Sequence, residues 1–401
     1  MRIALVSQEY PPETAKGGIG SQTYLKAHGL AALGHEIQVI SRSPTQAKTE
    51  RDDQGVRVLR IPGLDARMAV HTEIADWLTY SGEVAAAVAE LHARWPLDIV
   101  DFPEWGAEGY VHLLNRTRWN HVPTVIHLHG PLVMFAHTTG WPEMDSEFYR
   151  VGTIMEATCL RLADAVFSSS RCSAEWCAKH YRLKRAAVPI LHTGVDTELF
   201  APRDVAKAER PTVIFVGKLA RNKGVDLLVE AAGRLVREFP GLQLRLVGRG
   251  EPKTVAELRA RGAGSGGPEL LDLPGFVDRS ELPEQLSRAH VFAAPSQYEG
   301  GPGFVYLEAM ACGLPVIACA GSGAAEMVRD GENGLLVPPH DVAALISALR
   351  GLLQDPTKRR SLGERGRRFV LAEADSRVCL KKLEAFYAAA ALGQSPPGTN
   401  P

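Results

Sequence analysis

Residues 298 to 318 read YEGGPGFVYLEAMACGLPVIA, with Glu299 and Glu308 nine positions apart across a glycine-rich run. A helix turns about 100° per residue, so residues nine apart on one helix point to opposite faces. The two acids cannot share a site as helical neighbours. Pro302 suits the first turn of a helix, which places the helix start at or just after it. Glu299 then belongs to a loop and Glu308 to the helix interior. Phe304, Leu307 and Ala311 form an apolar stripe at helical spacing. Gly313 is placed to end the helix, with Pro315 just beyond, and Val316 to Cys319 reads as a short buried strand. A glycine-rich helix start exposes backbone N–H groups at the positive end of a helix dipole, a seat for an anion such as a phosphate. A glutamate in the second turn repels that anion but can accept hydrogen bonds from the hydroxyls of a neighbouring sugar. A plain helix start with two solvated glutamates fits the bare spacing equally well, so the rest of the chain has to decide.

Working outward, strands alternate with helices, the pattern of a parallel sheet covered on both faces. RIALVS (2–7), EIQVIS (36–41), LDIVDF (97–102), PTVIHLHG (123–130) and ADAVFSSS (163–170) read as strands. The polar segment 200–211 reads as a linker, after which the alternation restarts. TVIFVG (212–217), LQLRLVG (242–248), VFAAPS (291–296) and PVIAC (315–319) read as strands of a second sheet. The fold class expected is α/β: two doubly wound Rossmann-like domains, residues 1–203 and 204–375. A C-terminal helix and tail follow over 376–401, the helix able to pack on either domain. Ligands of such folds bind in the crevice outside the carboxyl ends of the strands.

The chain has 401 residues, 45% of them apolar and 23% charged, with a net charge of -1. That is an ordinary soluble composition, and nothing global points to nucleic acid or strong membrane attraction. The basic run KRRSLGERGRR (358–368) reads as a solvated helix face rather than a lipid patch. The start MRIALVSQEYPP carries too short an apolar run for a signal peptide, and no segment has the roughly 18 apolar residues of a spanning helix. Six scattered cysteines lack zinc-site spacing, which suggests reduced thiols in a cytoplasmic protein.

Glycine loops follow several strands: Lys16 to Gly20, Gly217 to Gly224 with Lys218, Arg221 and Lys223, and Gly248 to Gly250. None has the full dinucleotide fingerprint, which disfavours an NAD-dependent oxidoreductase. His127 and His129 lie two apart at a strand end and so share a face. Without a nearby carboxylate or cysteine at ligand spacing they point away from a metal, and leave either a hydrogen bond to substrate or a structural place. No Gly-x-Ser-x-Gly elbow or Walker loop is present.

In order and spacing, GGIG (17–20), VIHLHG (125–130), ADAVFSSS (163–170), HTGVDTELFAP (192–202), VGKLARNKG (216–224), LVGRGE (246–251), PGFVD (274–278) and the opening stretch resemble the GT-B glycosyltransferases of the large retaining family four, the glycosyl transferases group 1. The resemblance runs nearly end to end. It implies a sugar transfer from a nucleotide-diphosphate donor to an acceptor hydroxyl, with retention of configuration and no metal or other cofactor. A UDP-sugar is the first reading of the donor and GDP-mannose the second. Lys218 and Lys223 would hold the diphosphate, the amides of Gly303, Phe304 and Val305 would face it, and Gly18 would let backbone approach it. Glu308 would bind the ribose hydroxyls, Gly275, Phe276 and Val277 would lie near the base, and Glu299 beside the sugar. His129, with His127 second, would contact the sugar from the first domain.

The chain departs from the family pattern in three places. Eight residues rather than seven separate the glutamates, which displaces Glu299 by one. Lys218 stands where arginine is common, and Thr193 where asparagine is usual. The other readings are a GT-B nucleotide-sugar epimerase or sugar phosphorylase, and a non-catalytic sugar-nucleotide-binding subunit. The partners implied are the donor and a hydroxyl-bearing acceptor, without nucleic acid; peripheral membrane contact and oligomeric state stay open. Trp77, Tyr80, Trp141 and Tyr149, in loops 62–80 and 131–150, are suited to stacking on an acceptor ring or to core packing.

Overall fold

The computed structural model of the protein describes residues 1–14, 18–64, 72–183 and 188–394. Lys16 and Gly17 of the first glycine loop, residues 65–71 of loop 62–80 and the tail beyond 394 lie outside the described residues. The chain divides into two compact units, Met1–Thr193 with the segment from Ser376, and Gly194–Asp375.

The first unit begins with β1 (Arg2–Val6), α1 (Gly18–Ala32), β2 (Glu36–Arg42), β3 (Thr49–Asp53) and β4 (Val56–Ile61). It continues with α2 (Glu73–Arg94), β5 (Ile99–Pro103), α3 (Tyr110–Leu114), β6 (Thr124–Leu128), α4 (Leu132–Thr139), α5 (Glu147–Leu162), β7 (Ala165–Ser168) and α6 (Arg171–Tyr181). Its sheet runs β3-β4-β2-β1-β5-β6-β7. All neighbours pair in parallel except the edge pair β3 and β4. That hairpin, unread in the sequence, turns at Gln54 and Gly55, both at positive φ (55° and 90°), which gives the twist a two-residue hairpin needs. The central strands are near-continuous apolar runs because both faces of the sheet are covered. On one face Trp77, Val84, Val88 and Leu91 of α2 pack with Leu132, Met155 and Leu160.

The second unit holds β8 (Thr212–Val216), α7 (Val225–Leu235), β9 (Gln243–Val247), α8 (Pro252–Gly266), β10 (Leu271–Gly275) and α9 (Leu282–Arg288). Then come β11 (Val291–Ala294), α10 (Phe304–Ala311), β12 (Val316–Cys319), β13 (Leu335–Val337), α11 (Val342–Gln354) and α12 (Pro356–Phe369). Its strand order is β10-β9-β8-β11-β12-β13, all parallel. The last helix, α13 (Ser376–Ala391), belongs to the first unit. There Leu380, Leu383, Phe386 and Tyr387 cover the second face of the first sheet with Ala27 and Leu30 of α1. A Cβ on Gly29 would lie 2.1 Å from Leu380 Cδ1, so α1 and α13 pack at glycine distance.

Residues 194–203, expected to close the first domain, group with the second unit. Phe200 is fully buried in that unit's core, worth roughly 2–3 kcal/mol of apolar burial. The Val195 N–H donates to Ala374 O at 2.8 Å and the Thr197 hydroxyl to Asp375. The basic run is only partly a solvated face. On α12, Leu362, Gly363 and Gly366 are buried. Arg359 donates to the carbonyls of Leu352 and Leu353, Arg365 to those of Gly331 and Glu332, and Arg367 to that of Ala311. Arg359 and Arg367 satisfy carbonyls left open at the ends of α11 and α10, and Arg365 those of a turn.

Candidate active site

In the second sheet the strand order reverses between β8 and β11, so the loops after those two strands flank the crevice where ligands of this fold class bind. Glycines make the close approach of the strand-end loops after β8, β9 and β11 feasible. A Cβ on Gly248 would lie 1.9 Å from Gly217 O, and one on Gly224 (φ 70°) 2.3 Å from Pro295 O. After β8 the chain passes the exposed Lys218 and makes a short 3-10 turn, Arg221–Lys223, before Gly224 opens α7. The Gln297 N–H donates to Asn222 O at 2.9 Å and ties the two loops together. Lys223 and Glu299, 76 residues apart in sequence, therefore meet: Nζ lies 2.8 Å from Oε1, and 3.3 Å from Tyr298 O.

From Glu299 the loop runs over Gly323, whose N–H donates to Glu299 O at 3.0 Å and whose Cβ, if it had one, would lie 2.2 Å from Gly301 O. Gly303 then takes a left-handed conformation (φ 66°) as the cap of α10, with no side chain capping the helix. The helix spans Phe304–Ala311 and ends at Gly313 (φ 73°) before β12, the course the glycine and proline spacing predicts. Glu308 is 2% exposed in the second turn. Its Oε1 lies 2.6 Å from Nη2 of Arg279. Burial pushes the Glu308 carboxyl above the ordinary carboxylate value, and Arg279 pulls it back. The guanidinium of Arg279 lies over the Phe200 ring, 4.8 Å from its centroid. The two glutamates of the opening stretch thus have different cations.

Gly275 (φ 83°) ends β10, and its carbonyl accepts from the Gly248 N–H at 2.8 Å. Phe276 is 61% exposed beneath the Arg249 guanidinium, and Val277 packs on the core. Val305 is half-buried in the first turn of α10.

The family Glycosyl transferases group 1 matches residues 197–369, and Glycosyltransferase Family 4 matches residues 16–199. A GDP-mannose-dependent alpha-(1-6)-phosphatidylinositol monomannoside mannosyltransferase of Mycolicibacterium smegmatis is 31% identical over 92% of this chain and 94% of its own. The chain belongs to glycosyltransferase family four. A glycogen synthase of Mycobacterium tuberculosis is 28% identical over 99% of this chain and 97% of its own. The sucrose-phosphate synthase of Thermosynechococcus elongatus superposes with a TM-score of 0.80 at 27% identity, over 96% of this chain and 98% of that one. The protein is an enzyme of the EC 2.4 class, built from the two Rossmann-like domains of the GT-B fold.

In the first unit of this glycosyltransferase the order reverses between β1 and β5, and the histidine pair follows at the end of β6, His127 within the strand and His129 just beyond it. His127 is fully buried, with Nε2 2.6 Å from Ser169 Oγ and Nδ1 3.5 Å from Lys26 Nζ. Lys26 in turn pairs with Asp101, which also accepts from the Tyr387 hydroxyl. His127 thus sits inside a closed polar network. His129 differs: it is half-buried, and its buried Nδ1 has no partner. Burial, with Lys26 nearby, pushes it down to about 3, so it is neutral. Its backbone is held by a residue the sequence reading missed. Glu104, at the end of β5, accepts from the His129 N–H at 2.8 Å and the Gly130 N–H at 2.5 Å. Burial raises Glu104 to about 7 although these amides lower it. Glu156 of α5 accepts from the Leu132 N–H at 3.0 Å and from the Tyr181 hydroxyl.

Gly18 opens α1, and a Cβ there would meet nothing within 4 Å, so the described fold itself does not require glycine. Trp77 and Tyr80 are core residues, Tyr149 is half-buried, and Trp141 is 50% exposed. Among the described residues no group of three or more His, Cys, Asp or Glu is placed to hold a metal ion. No helix among them is long and apolar enough to cross a membrane. Arg279 gave no signal in the sequence, because it sits in an irregular turn 29 residues before the glutamate it serves. Glu104 had a faint one: an acid directly after the apolar strand end Phe102-Pro103.

Proposed function

We propose that this glycosyltransferase moves a sugar from a nucleotide-diphosphate donor to an acceptor hydroxyl, with retention of configuration and without a metal ion. The observation that carries the reading is the start of α10: an uncapped helix end with Lys223 at one side and the buried Glu308 one turn in. A helix N-terminus and a fixed cation suit a diphosphate. A buried carboxylate suits a vicinal diol, because both oxygens can accept hydrogen bonds.

In the proposed reaction the bond between the anomeric carbon and the β-phosphate oxygen breaks, and its electron pair leaves on the phosphate. Lys223, Lys218 and the amides of Gly303, Phe304 and Val305 stabilise that charge as it develops. The acceptor oxygen bonds to the same face of the sugar and gives its proton to the departing phosphate. Lys223 exchanges part of its pairing with Glu299 for the diphosphate, which leaves Glu299 free to accept from a sugar hydroxyl. The neutral His129 offers a hydrogen bond to substrate rather than a charge, and Glu104 fixes its backbone. The open space at Gly18 allows backbone to approach a phosphate. Gly275, Phe276 and Val277 flank the base. A UDP-sugar is the first choice of donor and GDP-mannose, used by the M. smegmatis relative, the second.

A thermal-shift panel of UDP, GDP and ADP, followed by the matching sugars with acceptors, tests this reading. One nucleotide stabilises the protein, and transfer persists in excess EDTA. Glu308→Ala weakens donor binding and lowers transfer by about tenfold to a hundredfold. Wild-type turnover in that variant, or loss of turnover with EDTA that a divalent ion restores, contradicts the reading.

A further inference from the structure

We propose that Arg279 is a positioning residue for the donor's ribose: it clamps the buried Glu308 carboxylate in its charged, aimed form until the ribose diol takes its place. This rests on the reading of Glu308 as the ribose anchor. The geometry that points to it is the pairing of a side chain 3% exposed with one 43% exposed. Glu308 cannot reach water, so its charge needs a local partner. Arg279 can reach water, so it can withdraw when a ligand arrives. Its guanidinium is braced on its other side by the face of Phe200, a contact that fixes the direction from which it approaches Glu308.

The surroundings leave this work to Arg279. At the C-terminal cap of α10 the neighbouring titratable group is the Cys312 thiol, pushed up to about 12 by burial and then by Glu308 itself. From α12, Arg367 donates to Ala311 O, while Arg203 and Lys207 act on Cys312. On α9, Glu284 and Arg288 pair with each other, and Glu373 beyond α12 is exposed. Among these charges Arg279 is the one that lowers Glu308. An opposite charge at this distance favours the carboxylate form. The sign follows. Without Arg279, Glu308 takes up its proton at a higher pH, and a protonated carboxyl offers the diol one acceptor fewer.

Titration calorimetry with UDP and GDP from about pH 5.5 to pH 8.5 tests the proposal on the full chain, using wild type, Arg279→Met, Arg279→Lys and Glu308→Gln. The nucleotide's own phosphate titration is common to all four and cancels in the ratio of Kd values. In Arg279→Met the acid limb of Kd moves up by about one pH unit or more. Binding relative to wild type is then about tenfold weaker at the acid end and within about threefold of it at pH 8.5. Arg279→Lys, which keeps the charge but not the fork, falls between. Acid limbs that superimpose in wild type and Arg279→Met overturn the proposal, whether or not the affinity falls uniformly. Glu308→Gln binding like wild type overturns instead the anchor reading on which it stands.

Discussion

α4 in the first unit and α10 in the second are both eight-residue helices that follow a strand of a parallel sheet, with glycine just ahead of each. At α4 the amides are taken by the protein's own buried acids: Glu104 accepts from His129 and Gly130, and Glu156 from Leu132. At α10 no side chain caps the helix, and the nearby charge is a cation, Lys223, itself held by Glu299. The same backbone device is closed in one place and open in the other. A closed end stabilises the fold and makes it sensitive to pH. An open one is available to a foreign anion. The difference lies in where the acids sit: buried strand-end and helix residues at α4, a loop residue drawn off by lysine at α10.

The strongest break of this comparison is Lys223→Ala. Transfer falls about 10²- to 10³-fold, as when one group that stabilises developing charge is removed. The folding free energy changes by no more than about 1 kcal/mol, since the pair is partly exposed. Initial rates and urea unfolding together check this; a large loss of stability with unchanged turnover would reverse the assignment of the two helix starts. Next comes Glu104→Ala. It leaves two buried amides unpaired and costs about 2–4 kcal/mol of stability, read by urea denaturation. Wild-type stability also carries a pH signature of this acid. Its folded value is raised from 4.5 to about 7, so folding favours the protonated form. The contribution is full below about pH 4.5 and is lost as pH rises through about 7, on the order of 3 kcal/mol. Glu104→Gln, which never ionises, flattens that slope. Part of the slope remains from Glu108, raised to about 8 by burial. The smallest effect is that of Gly303→Ala. At φ 66°, with the Tyr306 ring 2.5 Å from the new Cβ, it costs about 1–2 kcal/mol. It weakens donor binding several-fold in the same calorimetric assay, and binding unchanged from wild type would show that the α10 start does not hold the donor.

Much of the open helix start was legible. Gly303, Gly313 and Pro315 mark its ends because only certain backbones suit those turns, and local chemistry of that kind is written in neighbouring residues. The buried strands were legible for the same reason, as apolar runs. The closed helix start was not. Glu104 and Glu156 are acids amid apolar residues, and only the tertiary fold shows that amides 25 and 24 positions away await them. Arg279 is the same case within the proposed donor site. The β3–β4 hairpin escaped because Gln54 holds a left-handed position where asparagine or glycine would have flagged a turn. The Pro274-bearing β10 escaped because proline demotes a strand. The grouping of residues 194–203 with the second unit was not legible because a polar, proline-flanked segment marks a linker only by composition, while Phe200 and Val195 tie it into that unit through packing.

The most direct test of the account is a crystal structure of the protein with the nucleoside diphosphate that binds it. Diphosphate oxygens are expected at hydrogen-bond distance, about 3 Å, from the amides of Gly303 to Val305 and from Lys223 Nζ, with the ribose hydroxyls on Glu308 and Arg279 turned away. A nucleotide bound elsewhere, with the Lys223–Glu299 and Arg279–Glu308 pairs intact, would contradict it.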